Sequence, residues 1–224
     1  MEKKVALVFT GDEYADGGDH IRKVLAAKKI PASFFLTGRF YSTPAFKPLI
    51  RQLKKDGHYL GAHSDQHLLY CDWTNRDSLL VNPQQFRNDL QLNYQRMQDY
   101  GIQKADAPYF LPPYEWYNAE IVRWTAAESL KLINYTPGTR STADYTWPEQ
   151  GKNYRSSDEI FRSIIKHDQT DPDGLNGFIL LVHIGTDPRR TDKFYHKLDS
   201  LLEYLGARGY QLERIDHLLN KREY

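Results

Sequence analysis

Two histidines four positions apart, His63 and His67, have the spacing in this sequence that most directly suggests chemistry. They follow a short apolar run, Tyr59–Ala62, which has the pattern of a buried strand that ends at a polar turn. On helical backbone, side chains four positions apart lie on one face, where two neutral imidazoles can bind the same divalent ion. Because so short a motif recurs by accident, two exposed histidines beside an ordinary turn are the alternative. A metal site would need a third ligand from elsewhere.

The composition predicts one domain over residues 1–224. Hydrophobic residues make up 40% of the chain and charged residues 26%, which suffices for one sizeable core. The 30 Lys and Arg nearly balance the 29 Asp and Glu, so the net charge of +1 gives no broad field for nucleic acid or an anionic membrane. The single Cys71 excludes an intrachain disulfide and is best interpreted as a small buried residue.

The sequence shows no segment that would place the chain in a membrane. No apolar run approaches the ~20 residues that cross a bilayer, and the first residues lead directly into a strand pattern without a signal peptide. That pattern fits a cytoplasmic protein and equally a mature chain whose leader has been removed. The oligomeric state stays open.

Strand and helix patterns alternate along the chain. Helices are expected around Ile21, around Ile50, from Pro83 to about Gly101, over 121–127, from a cap at Ser157, from Thr191, and at the end of the chain. The predicted strands cover 5–9, 32–36, 59–62, 109–111, 131–133, 178–182 and 211–215. Seven such strands separated by helices, with nearly uninterrupted apolar runs at the centre, predict a parallel sheet buried on both faces and closed into an α/β barrel.

In a parallel barrel the chemistry lies at the carboxyl ends of the strands. Four of the seven predicted strands are followed there by residues that could bind a ligand or transfer a proton. They are Asp12 and Glu13 after the first strand, His63 and His67 after the third, Pro113 and Tyr114 after the fourth, and His183 after the sixth.

Five segments in this order resemble the polysaccharide deacetylase family, the NodB-homology domain of carbohydrate esterase family 4, over essentially the whole chain. Thr10-Gly11-Asp12-Glu13 stands where that family has Thr-Phe-Asp-Asp, and His63 to His67 matches its His-Ser/Thr-x-x-His motif in full. The remaining matches are Leu111 to Tyr114 for Arg-Pro-Pro-Tyr, Asp144 to Trp147 for a motif built on Asp and Trp, and Ile179 to His183 for an apolar strand ending in His; the stretch 32–38 resembles the second strand.

The resemblance implies a distorted (β/α)7-type barrel and metal-assisted removal of acetyl groups from a carbohydrate, N-acetyl and possibly O-acetyl. It assigns Glu13, His63 and His67 as ligands of one divalent ion, most simply Zn, with Co or Ni as alternatives. Asp12 would be the base, His183 the acid, and the Tyr114 backbone NH would hold the oxyanion. It also favours an extracytoplasmic location.

Three positions depart from the family pattern. Glu13 replaces an Asp ligand and lengthens the arm by one methylene, and Gly11 replaces an aromatic residue. Leu111 replaces the Arg that orients the catalytic Asp in the family, so Arg39 or Arg140 is expected to take over that role. These changes leave two alternatives to a deacetylase: a catalytically weak carbohydrate-binding member of the fold, and a hydrolase of a non-sugar amide.

Aromatic residues in the predicted loops suit a cleft that stacks sugar rings. About half of six candidates are expected to do so: Tyr70, Trp73, Tyr114, Trp116, Tyr145 and Trp147. The substrate-binding set predicted from these loops is Pro113, Tyr114, Trp116, Asp144, Trp147, Arg39 and Arg140.

Overall fold

A computed structural model describes residues 2–220 as one curled sheet of seven strands surrounded by helices. All seven predicted strands and the parallel α/β barrel architecture are confirmed. The strands are β1 Lys3–Gly11, β2 Ser33–Leu36, β3 Tyr59–Ala62, β4 Tyr109–Phe110, β5 Lys131–Leu132, β6 Phe178–His183 and β7 Tyr210–Glu213. Their order in the sheet is β5-β4-β3-β2-β1-β6, with β7 also paired to β1.

Strand β1 is the centre of the sheet. Its residues from Val5 onward are buried, and Val5 to Thr10 pair in parallel with Phe178 to His183 of β6. On its other side the first half of β1 pairs with β7 and the second half with β2. The strand therefore ends against neighbours on both sides, which fixes the direction in which the chain enters the turn at Asp12.

The sheet curls until its two ends approach each other beyond β5. There the Thr136 backbone NH donates to the Ile179 carbonyl over 3.0 Å, and the Ile179 NH donates to the Thr136 hydroxyl over 3.0 Å. These bonds join the segment after β5 to β6. The barrel is thus closed by irregular backbone, which fits the distortion that the family resemblance implies.

Eight α-helices surround the sheet within the described part of the chain. They are α1 Gly18–Lys28, α2 Gly38–Ser42, α3 Lys47–Lys55, α4 Pro83–Gln98, α5 Ala119–Ala127, α6 Ser157–Thr170, α7 Leu198–Ala207 and α8 Ile215–Asn220. The short α2 was not predicted, and the cap of α6 is Ser156 rather than Ser157. None of the described helices is long and apolar enough to cross a membrane.

The prediction that a helix starts at Thr191 was wrong. A 3-10 turn covers Phe194–Lys197, and the α-helix begins only at Leu198. Asp192 is committed elsewhere, because its carboxylate accepts a hydrogen bond from the Ser157 backbone NH over 2.6 Å at the start of α6. The segment 191–193 therefore leads from the loop after β6 into the 3-10 turn and contacts the start of α6.

The long loop predicted over 135–156 contains two 3-10 segments, Ser141–Tyr145 and Pro148–Asn153. A fully buried arginine, Arg190, holds this loop in place. Its guanidinium donates to the Thr146 carbonyl over 2.5 Å and to the Arg155 carbonyl over 3.0 Å. Side chains of this loop, Asp144 above all, are thereby fixed against the end of β6.

Candidate active site

A cleft of about 620 Å³ opens at the carboxyl ends of the strands. The structure brings most of the predicted site residues to it, although they come from distant parts of the chain. Its lining includes Asp12, Glu13, His63, His67, Tyr114, Trp116, Trp147 and His183.

The loop that carries His63 and His67 is not helical, contrary to the expectation that a helical turn would align them. Ser64 and His67 instead have left-handed backbone, with φ of 72° and 55°. This conformation still brings the two imidazole rings together, with centroids 5.0 Å apart. Helix α4 fixes the loop, because Asp89 accepts from the Gln66 NH over 2.9 Å and Asn93 accepts from the His63 NH over 2.8 Å.

Both histidines of this loop are neutral imidazoles. Burial lowers the pKa of His63 to about 3, with the neighbouring His67 adding to the effect. Burial also lowers the pKa of His67 to about 3, assisted by the charge of Arg39. His63 Nδ1 lies 2.7 Å from the Leu111 carbonyl oxygen, which can only accept, so Nδ1 carries the proton and Nε2 keeps its lone pair. Neutral imidazole with an anchored second nitrogen is the form that binds metals.

Arg39 orients Asp12, as one of the two alternatives from the sequence proposed. Its Nε donates to Asp12 Oδ1 over 3.0 Å, and its Nη2 donates to Oδ2, which makes a two-point contact. The Thr37 hydroxyl adds a third hydrogen bond to Asp12 Oδ1, over 2.8 Å. Arg39 follows β2, so the charge missing at Leu111 comes from a different strand.

Gly11 fills the position where the family has an aromatic residue, and its surroundings leave no room for a side chain. A Cβ there would lie 2.6 Å from Ile184 Cγ2 and 2.8 Å from Leu36 Cδ2. Glu13, two positions later, contacts Arg39 over 3.3 Å, and 57% of the Glu13 side chain is exposed.

The donor set of the cleft fits a divalent ion in part. The two neutral imidazoles fit, and Asp12 Oδ2 lies 3.9 Å from His67 Nδ1. Over residues 2–220, however, no three His, Cys, Asp or Glu side chains are grouped closely enough to hold a metal ion. The reason lies in Arg39, which engages the carboxylates of both Asp12 and Glu13.

On the opposite side of the cleft, His183 is paired with Asp144. His183 Nδ1 lies 2.6 Å from Asp144 Oδ1, and the His183 backbone NH donates to Oδ2 over 2.8 Å. Burial alone would lower the pKa of His183, but the charge and the hydrogen bond of Asp144 raise it above its ordinary value. In the sheet, His183 is opposite Thr10. The buried hydroxyl of Thr10 has no hydrogen-bond partner among the described residues. The contact with Asp144 therefore favours the protonated form of His183, in which Nε2 is a second donor.

The turn after β4 carries two consecutive residues in left-handed conformation, Tyr114 with φ of 58° and Glu115 with φ of 53°. For residues other than Gly each such conformation costs roughly 1–2 kcal/mol. No described residue accepts a hydrogen bond from the Tyr114 NH, whereas the Glu115 NH donates to the Pro112 carbonyl over 3.1 Å. The Tyr114 ring lies against His67, with centroids 4.4 Å apart.

Large exposed aromatic rings line the cleft, two of them near His67 and one against His183. Trp73, Tyr114 and Tyr145 are 54%, 43% and 49% exposed, which is unusual for such residues and suits sugar stacking. Trp116 packs on Trp73 with centroids 5.8 Å apart, and the Arg189 guanidinium lies 3.9 Å from the centroid of Trp147.

Five predicted residues do not line the cleft. Two of them, Arg39 and Asp144, contact the lining residues Asp12 and His183. Tyr70 is fully buried in the core and donates to Asp89, so it cannot stack on a ligand. Pro113 is buried in the turn beneath Tyr114. Arg140 lines a separate hollow of about 300 Å³ and does not reach Asp12. Cys71 is buried, as expected.

Three residues of the site were not identified from the sequence. Thr37 bonds to Asp12, Glu115 lines the cleft next to Tyr114, and Asp187 lines it after β6. The Arg189 guanidinium holds the pKa of Asp187 well below its usual range. Only Glu115 carried a signal, since it directly follows the Pro-Pro-Tyr segment.

The model of the polysaccharide deacetylase family matches residues 1–133, more than half of the 224 residues. The chain belongs to this family. Residues 1–133 include β1 to β5 and therefore Asp12, His63, His67 and Tyr114, whereas Asp144 and His183 lie beyond the match. No curated protein matches the chain.

Solved structures of carbohydrate esterase family 4 have the same fold. A peptidoglycan N-acetylglucosamine deacetylase is 17% identical with a TM-score of 0.74, over 98% of this chain and 89% of that one. A domain of a multidomain xylanase from the hindgut metagenome of Trinervitermes trinervoides is 20% identical with a TM-score of 0.73, over 99% and 92%. A pseudoenzyme from Bacillus anthracis is 18% identical with a TM-score of 0.73, over 97% of this chain and 66% of that one. Family and fold together indicate a polysaccharide deacetylase.

Proposed function

We propose that this protein hydrolyses acetyl groups on a carbohydrate, with Asp12 as the base and His183 as the acid. The observation that carries the proposal is the contrast within one cleft: Asp12, oriented by Arg39, faces the neutral histidine pair, and His183 is held by Asp144 on the other side. Hydrolysis of an amide or ester needs one group that accepts a proton and one that donates a proton, on either side of the scissile bond.

The two residues divide the proton transfers between them. Asp12 accepts a proton as water adds to the acetyl carbon, and Arg39 holds its carboxylate in the orientation for that task. His183 then donates a proton to the leaving nitrogen or oxygen while the bond to the acetyl carbon breaks. The products are acetate and the free amine or hydroxyl of the sugar. The Tyr114 NH is available to the developing oxyanion, because no described residue accepts from it.

We also propose that His63 and His67 bind one divalent ion, Zn or else Co or Ni, with Glu13 as the third ligand. Two neutral imidazoles support this assignment, and Glu13 would have to exchange its contact with Arg39 for the ion. When bound, such an ion lowers the pKa of water and polarises a carbonyl oxygen. The acetylated sugar would lie against the exposed aromatic rings of Trp73, Tyr114 and Tyr145.

One observation favours a second candidate, a carbohydrate-binding protein with weak turnover. Both oxygens of Asp12 are already engaged by Arg39 and Thr37, and Glu13 points to Arg39 rather than to the histidines. A cleft in this arrangement keeps its aromatic rings and can bind a sugar while the metal site is incomplete. An extracytoplasmic location, which the family resemblance favours, would suit either candidate.

The deciding experiment measures metal content and acetate release together. Purified protein should hold about one Zn, Co or Ni ion per chain and release acetate from acetylated chito-oligosaccharide or xylo-oligosaccharide. His63→Ala and His67→Ala should each abolish both signals, and His217→Ala, which changes an exposed histidine on α8, should abolish neither. Equal metal content in all four proteins would contradict the metal site. Binding of the oligosaccharide with neither metal uptake nor acetate release would favour the binding protein.

A further inference from the structure

Glu115 occupies a backbone conformation that favours glycine and lies in the wall of the cleft. Its φ is 53°, and the turn holds its backbone on both sides: its NH donates to the Pro112 carbonyl over 3.1 Å, and its carbonyl accepts from Asn134 Nδ2 over 3.0 Å. The side chain is left to line the cleft. A carboxylate at such a position is conformationally unfavourable, so it requires a compensating role.

The carboxyl of Glu115 differs from every other carboxyl in or under the cleft. Asp12 and Glu13 pair with Arg39, Asp144 pairs with His183, and Asp187 pairs with Arg189. The Glu115 carboxyl accepts no hydrogen bond from any residue in the described range 2–220, although its backbone carbonyl accepts from Asn134. Buried polar groups normally have partners, so a cleft carboxyl without one is free to accept from a ligand.

The position of Glu115 indicates which part of a ligand it would meet. Burial raises the pKa of Glu115 to about 7, with the charge of His183 opposing the shift and that of Asp144 adding to it. The Glu115 charge in turn helps to raise the pKa of His183 and, with burial, that of Tyr145. Glu115 and His183 both line the cleft, so the carboxyl lies within electrostatic reach of the proposed acid.

We propose that Glu115 determines specificity by accepting a hydrogen bond from the N–H of an acetamido group, so that the cleft selects N-acetylated over O-acetylated sugars. The inference rests on the proposed function, which places the leaving atom beside His183. An amide nitrogen carries a hydrogen that it can donate, whereas an ester oxygen presents only lone pairs to the carboxylate. A site built to bind an N–H discriminates strongly against an analogue without it, because its acceptor is then left unpaired.

Binding to a matched pair of ligands tests this selection without turnover. In an Asp12→Asn background, dissociation constants are measured by calorimetry for tetra-N-acetylchitotetraose and for the 2-O-acetylated cellotetraose analogue at a pH well above 7, where the Glu115 carboxyl is ionised and can only accept. Adding Glu115→Ala should weaken binding of the acetamido tetramer by about tenfold and leave the ester tetramer unchanged or bound more tightly. Equal weakening of both ligands, or no weakening of either, would overturn the proposal.

A pair of glycine variants separates selection from a purely structural role. Ser129 is an exposed residue with φ of 58° at the end of α5, far along the chain from the turn, and provides the control. Glu115→Gly and Ser129→Gly should both keep or raise the Tm, because glycine relieves the left-handed backbone, but only Glu115→Gly should lose the ligand preference. A marked fall in Tm for Glu115→Gly with the preference retained would assign Glu115 to folding and overturn the inference.

Acetate release reports on the proposed function separately. Wild-type protein that binds the acetamido tetramer preferentially but releases no acetate would refute the deacetylase and leave the role of Glu115 standing. If wild-type protein releases acetate but the ligand preference does not depend on Glu115, the deacetylase stands and the role of Glu115 is refuted. A parent protein that binds neither tetramer would overturn both.

Discussion

The two sides of the cleft use the same residue type for opposite purposes. His63 and His67 are buried without a carboxylate of their own, and their pKa values fall to about 3. His183 is also shielded from water, yet Asp144 raises its pKa above the ordinary value. Desolvation neutralises a histidine unless a nearby negative charge outweighs it. One cleft can therefore hold two neutral imidazoles and a third histidine whose pKa is raised, since the other carboxylate near the pair, that of Asp12, is paired with Arg39.

Of the changes considered, removing Asp12 or His183, the two proposed proton-transfer groups, should have the largest effect on turnover. Asp12→Asn and His183→Ala should each lower kcat by about 10² to 10⁴ on the best acetylated substrate, because positioned proton transfer contributes that much. Metal content should change little in both variants. Either variant that keeps more than about a tenth of the wild-type kcat would lose its assigned role.

Replacing Asp144, the partner of His183, should lower the pKa of His183, as burial lowers the pKa values of His63 and His67. In Asp144→Asn the raising charge is gone and burial dominates, so the pKa of His183 should fall. Because an acid acts only while protonated, the falling limb of the pH–rate profile should move to lower pH, with kcat at pH 7.5 reduced by roughly tenfold or more. Asp187→Asn, which removes a cleft carboxylate paired with Arg189, serves as the control. Equal displacement of the limb in both variants would show that the Asp144 contact is not the cause.

Replacing a neutral histidine should have a smaller effect, which should appear in the pH dependence of the free energy of unfolding. Their pKa is lower in the folded chain than the ordinary 6.5, so between pH 6.5 and about 3 the unfolded chain binds more protons. The free energy of unfolding should therefore fall with decreasing pH in this window, by up to about 1.4 kcal/mol per pH unit for each histidine. Urea titrations of wild type, His67→Gln and the exposed-site control His217→Gln should show a shallower acid loss only for His67→Gln. Parallel curves for all three would contradict neutral burial.

The sequence predicts the strands and the identity of the site far better than the conformation of its loops. Apolar runs of three to five residues bounded by turns are sufficient to locate β1 to β7, because parallel strands are buried on both faces. The helical alignment of His63 and His67 failed because Ser64 and His67 have positive φ, which is imposed by Asp89 and Asn93 from α4. Spacing within a segment does not reveal a contact with a helix about 30 residues away.

The choice between Arg39 and Arg140 illustrates the same limit. Arg39 follows the second predicted strand and Arg140 lies in the long predicted loop, and either position could reach Asp12. Nothing in the sequence favours one arginine over the other. The register of β1 with β2 decides, since Gly11 is opposite Leu36 and the chain then turns Arg39 toward Asp12. The isolated carboxyl of Glu115 was equally hidden, because the absence of a partner is a property of the assembled cleft.

The pairing of β1 has a consequence for how the protein forms during synthesis. Val5 pairs with Phe178 and Lys3 with Tyr210, which lie 173 and 207 positions later in the chain. At about 5–20 residues per second a ribosome needs on the order of 10 to 40 seconds to supply those partners. During that interval the apolar segment around Leu7 has β2 as a neighbour on one side only, and its other edge can bind a chaperone or another nascent chain. The strand that aims Asp12 is therefore among the first parts to be made and among the last to be completed.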